Sequence, residues 1–173
     1  MIVIVAGPSG SGKTTVGAML AGRLHWLFAD ADMFHSAANI AKMRAGIPLT
    51  DEDRWPWLRA IAFWMDARIA AGESAVITCS ALKRSYRDLL FADRPQVRLV
   101  FLCVDGEELA HRLATRHGHF FSPQLLASQL AAVETPEPDE RTLVLTEYGG
   151  PAETVDQIVS WLNEAQAGPA RDL

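Results

Sequence analysis

Cysteine, positive charge and long apolar runs are all scarce in this chain. Two cysteines in 173 residues cannot make a disulfide scaffold, and Cys79 and Cys103 each sit inside an apolar run, where a reduced core residue is expected. Sixteen Lys and Arg stand against 21 Asp and Glu, a formal net charge of −5. Such a chain has no global basic field for nucleic acid, so any anion site must be built locally. No apolar stretch approaches the length of a membrane span, and Met1 leads straight into a strand rather than a signal peptide, which points to a cytoplasmic protein. No repeat, low-complexity block or linker divides the sequence. One α/β domain over residues 1–167 is expected, with a frayed tail at 168–173.

What is present begins with Gly7-Pro8-Ser9-Gly10-Ser11-Gly12-Lys13-Thr14, which fits G-x-x-x-x-G-K-[ST] at every fixed position. The β-branched run Ile2-Val3-Ile4-Val5 precedes it, and Thr15 to His25 follows with apolar residues at helical spacing (Val16, Met19, Leu20, Leu24). Strand, glycine loop and helix make a phosphate cradle. The glycines let backbone N–H groups converge, and the helix N-terminus adds partial positive charge. Lys13 is placed to reach the β/γ-phosphates of a nucleoside triphosphate, and the Thr14 hydroxyl to ligate Mg²⁺.

Further strands are predicted over Trp26–Ala29, Ala75–Cys79, Val97–Val104 and Thr142–Leu145. Helices are predicted over Ala37–Ala45 behind a Ser36 cap, Leu82–Ala92, Glu107–Arg116 and Gln124–Val133, with a last one burying Val155, Ile158, Val159 and Leu162. Thr50-Asp51-Glu52-Asp53 opens a longer helix to about Ala71, stopped by Gly72, with Trp55, Leu58, Ala62, Met65 and Ile69 on one face. Five strands alternating with helices imply a parallel sheet covered on both faces, with its ligand edge at the carboxyl ends of the strands.

Two groups fall at that edge, and a third stands before a loop. Asp30 and Asp32 end the second strand, and phosphoryl transfer needs one carboxylate near the metal and one near the attacking hydroxyl. Ser80, Lys83, Arg84 and Arg87 follow the third strand; Lys83 and Arg87, four apart, share a helix face and suggest an anionic substrate. Arg112 and Arg116 precede the loop His117-Gly118-His119-Phe120-Phe121, an arrangement suited to a lid over about 112–123 that closes on triphosphate. Each group also reads as an ordinary solvated turn or helix face; the glycine loop in the same chain favours the functional reading. His117 and His119 lack further ligands at metal-site spacing. Cys79-Ser80 stands where many such proteins carry a second metal-supporting acid, leaving Thr14 and the Asp30/Asp32 pair for the metal.

The glycine loop, Asp30-Ala31-Asp32-Met33-Phe34-His35, Asn39-Ile40-Ala41-Lys42-Met43, Gly46-Ile47-Pro48-Leu49-Thr50-Asp51-Glu52-Asp53-Arg54, Pro56-Trp57-Leu58, Cys79-Ser80-Ala81-Leu82-Lys83-Arg84-Ser85-Tyr86-Arg87-Asp88, Gly118-His119-Phe120-Phe121 and Asp139-Glu140-Arg141 together resemble the gluconate kinases of the thermoresistant type, shikimate-kinase-like P-loop kinases. The resemblance spans nearly the whole chain, and its middle segments are far more specific than the glycine loop. It implies a three-layer P-loop kinase sandwich with a five-stranded parallel sheet in the order 2-3-1-4-5. It also implies an ATP- and Mg²⁺-dependent kinase making 6-phospho-D-gluconate, and a homodimer. By position, Asp32 looks like the carboxylate that deprotonates the substrate hydroxyl, and His35, Arg54, Ser80, Lys83 and Arg87 look like substrate-side residues. The Gly7–Thr14 loop, Thr15 and Arg112 fall on the nucleotide side, Thr14 and Asp30 on the metal, and Lys13 and Arg116 on the transferring phosphate. Ala31 replaces a frequent glycine and His117 a frequent lysine. The alternatives are a kinase for shikimate or a nucleoside monophosphate, and a nucleotide-binding switch.

Overall fold

The computed structural model of the protein describes residues 1–115, 123–146 and 149–167. Strands β1 (Ile2–Ala6), β2 (Leu27–Asp30), β3 (Ala75–Cys79), β4 (Val97–Leu102) and β5 (Thr142–Leu145) form one sheet in the order β2-β3-β1-β4-β5. Every neighbouring pair is parallel, as the family resemblance implied. The helices are α1 (Lys13–Leu24), α2 (Ala37–Arg44), α3 (Asp51–Ala70), α4 (Arg84–Phe91), α5 (Gly106–Thr115), α6 (Pro123–Ala131) and α7 (Pro151–Ala167). Two 3₁₀ turns, Ala31–Phe34 and Pro138–Glu140, are too short to leave a periodic trace in sequence. The loop after Arg116 and the tail 168–173 lie outside the described residues.

Successive strand side chains alternate between faces, so a strand buried throughout needs a helical layer on each side. Ile2, Ile4 and Ala6 of β1 pack with Leu58, Ile61 and Met65 of α3 and with Tyr86 and Leu90 of α4. Val3 and Val5 point the other way, against Val16 and Leu20 of α1 and Val155, Ile158 and Leu162 of α7. Each such Val, Leu, Ile or Met side chain contributes about 1.5–3 kcal/mol by leaving water. Helix α1 lies close on the sheet because Gly17 has no side chain: a Cβ there would stand 2.7 Å from Thr78 Cγ2.

Local chemistry sets the helix ends. The Thr50 hydroxyl accepts from the Asp53 N–H while the Asp53 carboxylate accepts from the Thr50 N–H, a reciprocal cap on α3. Ser36 caps α2 by accepting from the Asn39 N–H. Helix α4 starts at Arg84 rather than Leu82, because Ala81 takes a left-handed φ of 40° and Lys83 is extended. The buried face of α3 is also turned from the expected one. Leu58, Ala62 and Met65 are inside, but Trp57 and Ile61 join them while Trp55 and Ile69 stay half-buried. Trp57 can be buried because its indole N–H donates to the Ala31 carbonyl at 2.7 Å, leaving no unpaired donor.

Candidate active site

The β1–α1 loop has the backbone of a phosphate cradle. Gly7, Gly10 and Gly12 take φ values of 139°, 84° and 93°, which side chains on L-residues rarely permit. At Gly7 there is also no room, since a Cβ would lie 2.6 Å from the Leu102 carbonyl oxygen. The loop is tied on two sides: the Gly7 N–H donates to Ser80 O at 3.2 Å, and the Ser9 N–H donates to Gln129 Oε1 at 2.7 Å. Lys13 Nζ donates to Pro8 O at 2.8 Å, which holds the ammonium over the loop. Ser11 is fully buried and packs beneath it.

The end of β2 stands beside this cradle. Thr14 Oγ1 donates to Asp30 Oδ2 at 3.1 Å, and the Asp32 N–H donates to Asp30 Oδ1 at 3.1 Å. Asp30 is thus fixed by both oxygens, whereas the Asp32 side chain is 87% exposed and reaches outward. His35 Nε2 lies 3.9 Å from Asp32 Oδ1, its side chain only 4% exposed. The imidazole stacks on Trp57 with centroids 4.4 Å apart and planes 9° from parallel. Burial, helped by the Arg54 guanidinium charge, pushes the His35 pKa down to about 4, so the ring is neutral at pH 7.

One cleft of about 690 Å³ joins these parts. Of the residues singled out from sequence, it brings together Ser9, Gly10, Gly12, Lys13, Thr14 and Thr15 on the loop side with Asp30, Asp32, His35, Arg54 and Ser80 on the other. Gly7, Pro8 and Ser11 of the same loop do not line the cleft. Arg116 lies outside the described residues, as does the side chain of Arg112, whose backbone belongs to α5.

Two residues of the expected cationic wall stand elsewhere. Arg87 is 1% exposed; its Nε and Nη2 donate to the two oxygens of Glu140, and its Nη1 to the carbonyls of Ala81, Leu82 and Glu134. It does not line the cleft, so its assignment to substrate is corrected: the guanidinium pins the 134–140 segment to α4. Lys83 Nζ donates to both oxygens of Asp51 at 2.8 Å and is likewise absent from the cleft wall. The Lys83 and Tyr86 bonds hold the Asp51 carboxyl below the usual range. Four-residue spacing places side chains on one helix face, but which face meets the ligand depends on packing. Arg84 is taken by Asp88 and Asp139.

The cleft also holds residues not singled out as site groups. Ile40, Met43 and Arg44 of α2 line it together; their i, i+3, i+4 spacing was the available signal. Leu125, Ser128 and Gln129 come from α6 with the same spacing, but nothing local linked that helix to the glycine loop 120 residues away. Among the described residues Lys13, Arg44 and Arg54 bring positive charge to the cleft of an acidic protein, a local concentration of charge.

A divalent cation fits one place. The Thr14 hydroxyl and Asp30 carboxylate form an oxygen-only donor pair, which suits a hard ion such as Mg²⁺ that takes its other ligands from phosphates and water. Among the described residues no cluster of three or more His, Cys, Asp or Glu could hold a metal unaided. Cys79 borders the cleft, but burial pushes its thiol up to about 12, so it is neutral and supplies no charge.

Comparison with known proteins agrees with this geometry. Residues 2–136 match the model of a family described as an AAA domain. A gluconokinase of Gluconobacter oxydans is 44% identical over 157 residues, covering 91% of this chain and 88% of its own. A sugar kinase from Janibacter superposes with a TM-score of 0.89 at 51% identity, covering 96% of both chains. The crystal structure of a gluconokinase from Sinorhizobium meliloti superposes with a TM-score of 0.81 at 41% identity, covering 94% of this chain and 91% of its own. No helix among the described residues is long and apolar enough to cross a membrane. A phosphate-cradling loop, an exposed carboxylate beside it and relatives aligned over nearly their whole length lead to one assignment: the chain belongs to the gluconokinase family of P-loop kinases.

Proposed function

We propose that the protein transfers the γ-phosphoryl group of ATP to the 6-hydroxyl of D-gluconate, giving 6-phospho-D-gluconate and ADP. The observation that carries this reading is the shared cleft, in which Lys13 and the glycine loop face Asp32, His35 and Arg54. The glycine loop and Thr15 hold the triphosphate by backbone and hydroxyl donors, and Lys13 leaves Pro8 O to neutralise the oxygens of the transferring group. Thr14 and Asp30 would hold Mg²⁺, which when bound would supply positive charge against the phosphates. Asp32 accepts the proton of the attacking hydroxyl; its carboxylate is exposed in the cleft beside the glycine loop. His35 hydrogen-bonds the sugar acid as a neutral ring. Arg54 meets its carboxylate, and Ser80, at the end of β3, adds a polar contact. The domain runs over residues 1–167 with a lid at about 112–123, where Arg112 and Arg116 close on the nucleotide. The protein acts as a cytoplasmic homodimer.

The test is ADP formation measured over a panel of sugar acids, shikimate and nucleoside monophosphates. Strong dependence on gluconate is expected. Preference for another acceptor would move the protein to a different substrate, and slow turnover unaffected by any acceptor would make it a nucleotide-binding switch.

A further inference from the structure

Trp57 is 3% exposed and touches the site in two independent ways. Its Nε1–H donates to the carbonyl of Ala31, the residue between Asp30 and Asp32, and its ring face carries the His35 imidazole. Ala31 is 1% exposed, so no water can replace that donor. Asp32 itself stands on a short 3₁₀ turn (Ala31–Phe34), anchored at its start by Asp30 and at its end by the His35 N–H, which donates to Asp32 O at 3.3 Å. The indole therefore grips the turn at its first residue and again just past its last. Its own position is set by α3, whose Leu58, Ile61 and Met65 pack in one core with residues of β1 and β3.

His35 adds a second consequence. Its Nδ1 is buried with no hydrogen-bond partner, while Nε2 faces Asp32. A neutral imidazole carries one proton, and a buried donor without an acceptor is costly, so the proton belongs on Nε2. Stacking on Trp57 fixes the ring plane and hence where that N–H points.

We propose that Trp57 is a positioning residue for the phosphoryl transfer, holding the Asp32 turn through the Ala31 carbonyl and the His35 ring through its face so that carboxylate and imidazole N–H meet the acceptor in one geometry. The inference rests on the reading of Asp32 as the base. The Asp32 side chain is exposed and is carried by this turn, so small rotations of the turn would be felt at the reacting oxygen. Misplacement of about 1 Å is enough for a hundredfold loss.

The experiment is a double-mutant cycle with Trp57→Phe and Asp32→Asn, read as kcat and both KM values with thermal melting alongside. Trp57→Phe keeps an aromatic face for His35 but removes the donor to Ala31. It is expected to lower kcat by about ten- to a hundredfold, with KM for ATP and gluconate within about threefold. In the Asp32→Asn background the same change should add less than about threefold, because it acts through the missing base. Unchanged kcat in Trp57→Phe, or an equal loss in both backgrounds, overturns the proposal. Wild-type turnover by Asp32→Asn alone would instead defeat the base assignment. If Trp57→Phe does not fold, the indole N–H resonances of the wild type decide. Trp57 is expected to exchange slowest of the five and to shift on gluconate binding; rapid exchange refutes the clamp.

Discussion

Replacing Arg87 by Met tests whether the buried guanidinium is structural or meets the substrate. The side chains of Arg87 and Glu140 are 0% and 2% exposed, and the pair is joined by two parallel N–H···O bonds. Removing one member of such a pair strands a buried charge and costs about 3–5 kcal/mol. Three carbonyls that Arg87 also serves, on Ala81, Leu82 and Glu134, lose a donor at the same time. For a domain of this size about 1 kcal/mol moves the melting temperature by 2–4 °C, so a fall of roughly 6–20 °C is expected. Calorimetry at pH 7 measures it, with steady-state kinetics on the folded protein at a temperature well below the transition. KM for gluconate should stay within about twofold. A second substitution, Glu140→Leu, removes the stranded carboxylate and should restore part of the loss, though not the three carbonyl bonds. The result that would refute the reasoning is an unshifted melting temperature together with a KM raised by about a hundredfold, the signature of a lost substrate contact. The pair also predicts an acid limit. Burial pushes the Glu140 carboxyl up, but the bonds from Arg87 and from the Glu137 N–H outweigh it and hold it below its ordinary value. A carboxyl depressed in the folded state stabilises fully above about pH 4.3, and that stability is lost as pH falls through the folded value. The acid transition of Glu140→Gln should accordingly be shallower than that of the wild type.

Lys13→Ala should reduce kcat by at least about a hundredfold in a protein that melts normally, since the ammonium answers charge in a dry site; near-normal kcat would remove its role. Asp32→Asn should lower kcat by about 10²–10⁴-fold with little change in either KM, whereas Asp30→Asn should chiefly raise the Mg²⁺ concentration needed for half-maximal rate; the reverse pattern would exchange the two assignments. Arg54→Met should cost gluconate about a hundredfold in kcat/KM while hardly changing any turnover of uncharged glucose, and Lys83→Met, with its charge already paired to Asp51, should leave the ratio of gluconate to glucose turnover as in the wild type. Arg116→Ala should reduce kcat and Arg112→Ala should mainly weaken ATP binding; unchanged kinetics in both would dismiss the lid.

Much of this protein is written locally. The phosphate loop was legible because its signature is local: glycines where φ is positive, a lysine and a threonine at set distances within eight residues, flanked directly by a β-branched strand and a helix. The cap on α3 was legible for the same reason, since Thr50 and Asp53 satisfy each other's backbone. Five strands and their parallel sense followed from alternation, while their order came through resemblance to a family, because pairing between strands distant in sequence leaves no period behind. Tertiary structure alone decided which cations line the cleft. Lys83, Arg84, Arg87, Arg44 and Arg54 are alike as residues in a sequence. Only the arrival of Asp51, Asp139 and Glu140 from other segments pairs the first three and leaves Arg44 and Arg54 to line the cleft. Trp57 rather than Trp55 is inside for a similar reason: the acceptor for its indole N–H is Ala31 O, 26 residues earlier. A charge or a polar donor is placed by whichever partner the fold brings to it, and that partner is absent from its neighbourhood in the chain.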